Sequence, residues 1–354
     1  MAREMKSLLN MMVEKNASDL HISADSTIQL RIDEKLVPVD EHVLTAEESK
    51  ALSYSILNKE HIDKFERDLE LDMAFGIIGL GRFRVNVFKQ RGTIASSIRI
   101  IPYTIWSFEE CGLPADIATN LCKKPKGLVL ITGATGSGKS TSLASMIDWI
   151  NSDRHCHIVT IEDPIEFIHE NKKAVVNQRE VFSDTHSFNG ALKHVLRQDP
   201  NVILIGELRD LETIESALII AETGHLVFAT LHTSDCVQTV NRIIDVFPAH
   251  QQQQIRTQLS FVLTAILSQQ LIPKMGADGR VLAMEILIAT PAIRSLIREA
   301  KVHQMYSTMQ TSQKDGMKTM NQALYELYQK KLISYEDALN RTMDVEDLMR
   351  IFKK

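Results

Sequence analysis

The stretch GLVLITGATGSGKSTSLASMIDWI, residues 127–150, decides the fold. GLVLIT is a short continuous apolar run, as expected of a strand buried on both faces, and KSTSLASMIDWI carries a helical period. Between them Gly133, Gly138, Lys139 and Ser140 fit the pattern GxxxxGK[ST] in the strand-then-helix setting that this motif requires. Glycines let the backbone amides of Thr135, Gly136, Ser137 and Gly138 turn inward on phosphate oxygens, and the following helix N-terminus adds partial positive charge. Lys139 is placed to reach the β and γ phosphates of a nucleoside triphosphate, Ser140 to ligate Mg²⁺ through its hydroxyl, and Thr141 to support the α phosphate.

Downstream, short apolar runs alternate with helical periods: HIVTIE, a helix around residues 188–197, NVILIG, LETIESALIIAETG and LVFATLH. This alternation predicts an α/β unit with a mainly parallel sheet and helices on both faces. Such sheets bind ligands at the carboxyl ends of their strands, where a triphosphate site needs an acid for the metal and a base for water. Two runs end there in acids. NVILIGE closes on Glu207, suited to the Mg²⁺ shell or to orienting water; HIVTIEDP closes on Glu162 and Asp163, with Pro164 biasing Asp163 toward extended backbone. His225 and His232 flank LVFATLH, one at each end of the strand, so His232 at the carboxyl end is the candidate sensor of the γ phosphate.

Upstream, residues 3–16 read as a helix with Met5, Leu8, Leu9, Met12 and Val13 on one face. SDLHIS and IQLRID follow as strands before a turn at EKLVP. GLGRFRVNVFKQRGTIASSIRIIP, residues 79–102, reads as two strands joined by a turn at residues 90–92, with arginines on one face. Phosphoryl transfer needs positive charge beyond one lysine, and Arg84, Arg91 and Arg99 are strand-borne candidates for a finger acting in trans. Proline and turn residues between residues 101 and 125 mark a domain boundary, with a short helix inside YTIWSFEECGLP. From about residue 248 onward the periodicity predicts helices, QIRTQLSFVLTAILSQQL among them, interrupted by one short strand pair flanking GADGR.

Composition narrows the function classes. A chain of 354 residues with 44% apolar residues has room for more than one core. With a net charge of −5 it lacks the global basic footprint of a nucleic-acid binder. Four cysteines without CxxC or metal-ligand spacing fit reduced thiols in the cytoplasm. MAREMKSLLNMM lacks the apolar core of a secretory signal, and no run reaches the ~18 apolar residues of a membrane span, so membrane association is expected to be peripheral.

Taken in order, GATGSGKS, TIEDPIEF, LRQDPNVILIGELRD and AETGHLVFATLHT resemble the four boxes of the secretion-superfamily ATPases, in their type IV pilus retraction branch. The resemblance runs from SDLHIS to AIRSLIRE at residues 292–299 and implies ATP and Mg²⁺ as cofactors. It implies Glu162 as catalytic base, Glu207 as the metal-site acid, and His225 with His232 as histidine-box residues. For architecture it implies a PAS-like N-terminal domain (residues 1–100), a linker (101–115), a RecA-like ATPase domain (116–290) and a helical C-terminal segment (291–354). Its further implications are a homohexamer at the inner face of the cytoplasmic membrane, an inner-membrane pilus platform protein as partner, and PilB-like and PilU-like ATPases alongside. Assembly and type II secretion ATPases usually carry a long extra N-terminal domain and a tetracysteine module. Here the sequence starts at the PAS-like segment and QQLIPKMGADGRVLAM holds no cysteine, both pointing to the retraction branch. AIRSLIRE matches that branch's signature AIRNLIRE with Ser295 in place of Asn. Its Arg294 and Arg298 are expected to serve motility rather than hydrolysis.

Overall fold

A computed structural model describes residues 4–32, 35–77, 80–101, 104–276 and 279–353. The chain divides into two compact units, Met1–Thr104 and Ile105–Lys354. The expected turn at EKLVP and the centre of GADGR fall partly on residues 33–34 and 277–278, and the boundary stretch partly on 102–103; these lie outside the described residues. Lys35 to Pro38, read as turn, belong to a strand.

The first unit is built on β1 (Asp19–Ile22), β2 (Thr27–Ile32), β3 (Lys35–Val43), β4 (Glu70–Ile77), β5 (Gly81–Gln90) and β6 (Thr93–Ile101). They form one sheet in the order β3-β2-β1-β6-β5-β4, with every neighbouring pair antiparallel. Strict alternation in RFRVNV buries Phe83, Val85 and Val87 on one face, where Leu9 and Met12 of helix Met5–Glu14 and Phe65 of helix Lys59–Asp68 close the core. The other face is polar. Arg31, Asp19, Arg99 and Arg84 stand in one cross-strand row. β5 and β6 join as read, through a two-residue loop in which Arg91 (φ 48°) and Gly92 (φ 80°) both lie in the left-handed region, the conformation that matches strand twist in tight hairpins.

The second unit holds β7 (Gly127–Thr132), β8 (His157–Glu162), β9 (Val175–Glu180), β10 (Val202–Ile205), β11 (Leu226–Leu231), β12 (Leu263–Pro273) and β13 (Arg280–Ile288). Their order is β13-β12-β7-β11-β10-β8-β9, parallel throughout except for the β12–β13 pair. GLVLIT is buried over its whole length because the sheet has two cores. Leu128 and Leu130 pack with Ile214, Leu218 and Leu259, while Val129 and Ile131 pack with Met146 and Ile147 of the opposite layer. Each such side chain contributes roughly 1.5–3 kcal/mol of burial.

Two expectations change. QIRTQLSFVLTAILSQQL is not one helix: helix Ala249–Val262 ends there and Leu263 opens β12, which lies between β7 and β13. An apolar run buried on both faces carries no period that separates strand from helix, and the β12–β13 pair is correspondingly long, nine residues in register from Ala265–Ile288 to Pro273–Arg280. Residues 291–354 are not a unit of their own but part of Ile105–Lys354, with Leu324 and Leu327 of helix Met320–Gln329 packed on Ile272 and Ala283 of the sheet. Within the expected linker, helix Phe108–Cys111 carries a Ser107/Glu110 capping box and sends Phe108 into the second unit's core.

AIRSLIRE is helical as part of Pro291–Arg298. Arg294 donates to the carbonyls of Ser260, Phe261 (2.9 Å) and Ala289 (2.9 Å), satisfying the C-terminal end of helix Ala249–Val262. Arg298 lies over the exposed Phe261 ring, 6.0 Å from its centroid.

Candidate active site

The loop between β7 and helix Lys139–Asp153 takes its shape from glycine. Gly133 has φ 141°, and a Cβ there would stand 2.5 Å from the Gln269 carbonyl and 2.6 Å from Ser137 Oγ. Gly136 (φ 78°) and Gly138 (φ 88°) complete the inward turn of the amides. Gly133→Ala is expected to displace the loop and abolish binding of a fluorescent ATP analogue at concentrations that saturate the unaltered protein, while circular dichroism stays unchanged. Full binding would show that the loop tolerates the shift.

Around this loop lies a cleft of about 360 Å³ at the carboxyl ends of the parallel strands, with Lys139, Glu162, Glu207, Arg209 and His232 in its walls. Lys139 Nζ is turned back onto the carbonyls of Gly133 (2.8 Å) and Ala134 (3.0 Å), and burial lowers its pKa. Ser140 and Thr141 open the helix behind it and line the same cleft. Thr132 Oγ1, at the end of β7, and Ser137 Oγ, in the loop, are buried with no hydrogen-bond partner, although neither lines the cleft. The cleft's own lining offers the chemistry that a phosphate and its metal need: loop amides, the Lys139 ammonium, the Ser140 hydroxyl and the Glu207 carboxylate. Among the described residues no cluster of three or more acidic, histidine or cysteine side chains is positioned for a metal ion. A Mg²⁺ here would take the Ser140 hydroxyl, Glu207 and phosphate oxygens, the arrangement suited to an ion that keeps few protein ligands.

Glu207 follows β10 by one glycine and is clamped from two sides. Arg209 Nε donates to Oε2 at 2.7 Å and His232 Nε2 stands 3.2 Å from Oε1. Arg209 also lies 3.6 Å from Asp163. Glu162 ends β8, where its Oε1 accepts from Thr160 Oγ1 (2.7 Å) and Gln178 Nε2 (3.3 Å). Burial pushes its carboxyl up to about 7, against the lowering effect of those hydrogen bonds. Asp163 precedes Pro164 through a cis peptide bond.

The structure thus brings the phosphate loop, Glu162, Glu207 and His232 to one cleft, and leaves other candidates elsewhere. His225 stands at the opposite end of β11, with Nδ1 against Thr223 Oγ1 (3.1 Å) and the Ile220 carbonyl (3.2 Å), outside the cleft lining. A strand of this length puts roughly 20 Å between its ends, so the nucleotide-binding role expected for His225 is withdrawn in favour of a helix-end contact. Arg84, Arg91 and Arg99 belong to the first unit. Arg99 is committed to the buried Asp19 (2.8 Å) and Arg91 forms the hairpin tip, which leaves Arg84, exposed beside Arg99, as the best-suited finger of the three. Arg209, Gln178, His169 and Arg280 went unread. Only Arg209 had a local signal, two residues past Glu207; Gln178 and Arg280 are placed by strand pairing, and His169 by the segment between β8 and β9 that Gln178 holds.

A family model described as "Type II/IV secretion system protein" matches residues 1–340. The chain is 49% identical over 331 residues to the type IV pilus retractation ATPase PilT of Pseudomonas aeruginosa, covering 94% of this chain and 96% of that protein. It is 42% identical over 350 residues to the type IV pilus ATPase PilU of the same organism, covering 99% of this chain and 91% of that one. Among solved structures, the pilus retraction motor PilT with bound ADP matches with a TM-score of 0.93 and 49% identity, over 98% of this chain and 99% of that chain.

Proposed function

The chain belongs to the Type II/IV secretion system protein family, and from that premise we propose that it is a motor ATPase that couples ATP hydrolysis to the retraction of a type IV pilus. What carries the reading is the 49% identity to a retraction ATPase, spread over 94% of this chain and 96% of that protein.

The cleft supplies the chemistry. Glycine-shaped amides of residues 133–138 cradle the phosphates, and Lys139 leaves the loop carbonyls it now bonds to neutralise the β and γ oxygens. Ser140 and Glu207 would hold a Mg²⁺, and the charge it would supply is that needed at the phosphate oxygens. His232 sits against Glu207 and senses the γ phosphate; Glu162 orients water and accepts its proton. Hydrolysis is driven mainly by positioning and charge, so the remaining positive charge matters as much as the base.

That charge comes from a neighbouring protomer in a homohexamer, through Arg84 on the polar face of the first, PAS-like unit. Arg91 and Arg99 hold the hairpin and the sheet on which it stands. Nucleotide-dependent closure around the ring then works on an inner-membrane pilus platform protein at the cytoplasmic face of the membrane. Among the described residues no helix is long and apolar enough to cross a membrane. Arg84→Ala is expected to form rings with about a hundredfold less ATPase activity. Mixing it with Lys139→Ala should partly restore turnover, since mixed rings contain some sites with both groups intact; no recovery at any ratio would sink the shared-site reading.

A second reading, an accessory ATPase acting beside the main motor, draws on the 42% identity to PilU over 99% of the chain. Gene deletion separates the two. Complete loss of twitching with retained surface pili marks the main motor, and partial loss the accessory.

A further inference from the structure

We propose that Gln178 is the positioning residue of the catalytic base: its side-chain amide fixes the Glu162 carboxylate and, through the same group, the cleft wall at Phe167 and His169. The proposal rests on the reading of Glu162 as base. Residues 163–174, between β8 and β9, contain no helix or strand, so their main-chain groups must find partners outside a ladder. Asn151 serves residues 170 and 172–174, and side chains of β9 serve the part beside the cleft. Gln178 Oε1 accepts from His169 N–H at 2.8 Å, Gln178 Nε2 donates to the Phe167 carbonyl at 2.8 Å, and Glu180 Oε2 accepts from Ile165 N–H at 3.2 Å. Gln178 and Glu180 lie two residues apart on one strand and therefore on one face.

The same face meets the base. β8 and β9 run parallel with Thr160 beside Gln178 and Glu162 beside Glu180. Thr160 and Gln178 both donate to the same oxygen of Glu162, Oε1, at 2.7 and 3.3 Å, and neither donates to Oε2. The orientation of the Gln178 amide is forced rather than chosen. A main-chain carbonyl only accepts and a main-chain N–H only donates, so the NH₂ must face Phe167 and the oxygen must face His169. Once so oriented, its second N–H is the one that reaches Glu162. A glutamate of the same shape would keep the His169 contact but face two acceptors with a third.

Phe167 and His169 line the cleft with Glu162, and His169 is buried with Nδ1 lacking a partner. One amide therefore holds the base and the wall opposite the phosphates in register. Orientation of this kind acts on the chemical step more than on ground-state binding.

The test uses the full chain carrying Q178E and Q178A, each alone and combined with E162Q. ATP turnover and binding of a fluorescent ATP analogue are both measured. Both single variants should lose about tenfold or more in kcat, with KM and analogue affinity within about threefold of the unaltered protein. In the E162Q background either should lower the residual turnover less than about threefold, because the base that Gln178 positions is gone and only its hold on the cleft wall is left. Unchanged kcat in Q178E, losses that multiply with that of E162Q, or a loss confined to nucleotide affinity would each overturn the proposal. Should Q178A fail to fold, Q178E decides, since it preserves the side chain's shape. E162Q with full turnover would remove Glu162 from the base role, and this proposal with it, a result distinct from failure of the Gln178 arms alone.

Discussion

Glu162→Gln should bind nucleotide as well as the unaltered chain and turn it over about 10²–10⁴-fold more slowly, the range by which a positioned general base accelerates proton transfer. The amide keeps the shape of the side chain and an oxygen to accept from Thr160 and Gln178, so the cleft is preserved while the basic group is lost. Burial raises the carboxyl from 4.5 to about 7, close to working pH, where a base is both available and strong enough to use. Normal phosphate release by the variant would take Glu162 out of the base role. A second readout follows from linkage in the nucleotide-free protein. A carboxyl whose folded pKa lies above its unfolded value binds more protons when folded, so stability is lost as pH rises from about 4.5 through about 7. Glu162→Gln removes that loss. It should therefore unfold at a higher temperature than the unaltered chain at pH 8 and at the same temperature below pH 4.5. An equal difference at both pH values would mean that the carboxyl is not desolvated.

Much of the site was readable because its signals are local in sequence. GLVLIT is apolar at every position since each face of β7 meets a different core, and the loop after it needs glycine where a Cβ would strike Gln269 and Ser137. The acids Glu162 and Glu207 were visible as polar ends of buried runs, and His232 as the end of another. Elsewhere the same logic failed for physical reasons. β12 carries no period because both its faces are buried, so its run passed for helix. The strand's direction separates His232 from His225 in the sequence itself, since only the carboxyl end of a parallel strand faces the ligand. Gln178 gave no signal at all: its role depends on the parallel pairing of β8 with β9, which brings it beside Thr160 eighteen positions away in the numbering. That Arg294 is the hydrogen-bond partner of a helix end is something no spacing rule reveals.

Glu285→Ala should destabilise the second unit by about 3–5 kcal/mol, the scale of removing one partner of a buried, multiply bonded charged group. Glu285 is 2% exposed on β13, and its two oxygens serve two different helices. Oε1 accepts from Cys236 N–H at 2.8 Å, at the start of helix Cys236–Asp245, and Oε2 accepts from Met320 N–H at 3.2 Å, at the start of helix Met320–Gln329. Each helix already has a side-chain cap for a later amide, Asp235 to Gln238 and Thr319 to Gln322, so Glu285 answers the donors those caps leave open. Burial raises its pKa while the two amides lower it, and both helix dipoles favour a negative charge between them. Alanine would strand two buried N–H groups at once. The first of these helices begins four residues after His232, so the damage reaches the nucleotide cleft as well as the C-terminal helices. Urea unfolding should show the midpoint drop, and hydrogen exchange should rise together at residues 236–245 and 320–329. Exchange that rises in one helix alone would mean the carboxylate serves a single terminus, and an unchanged midpoint would mean that water replaces it at both.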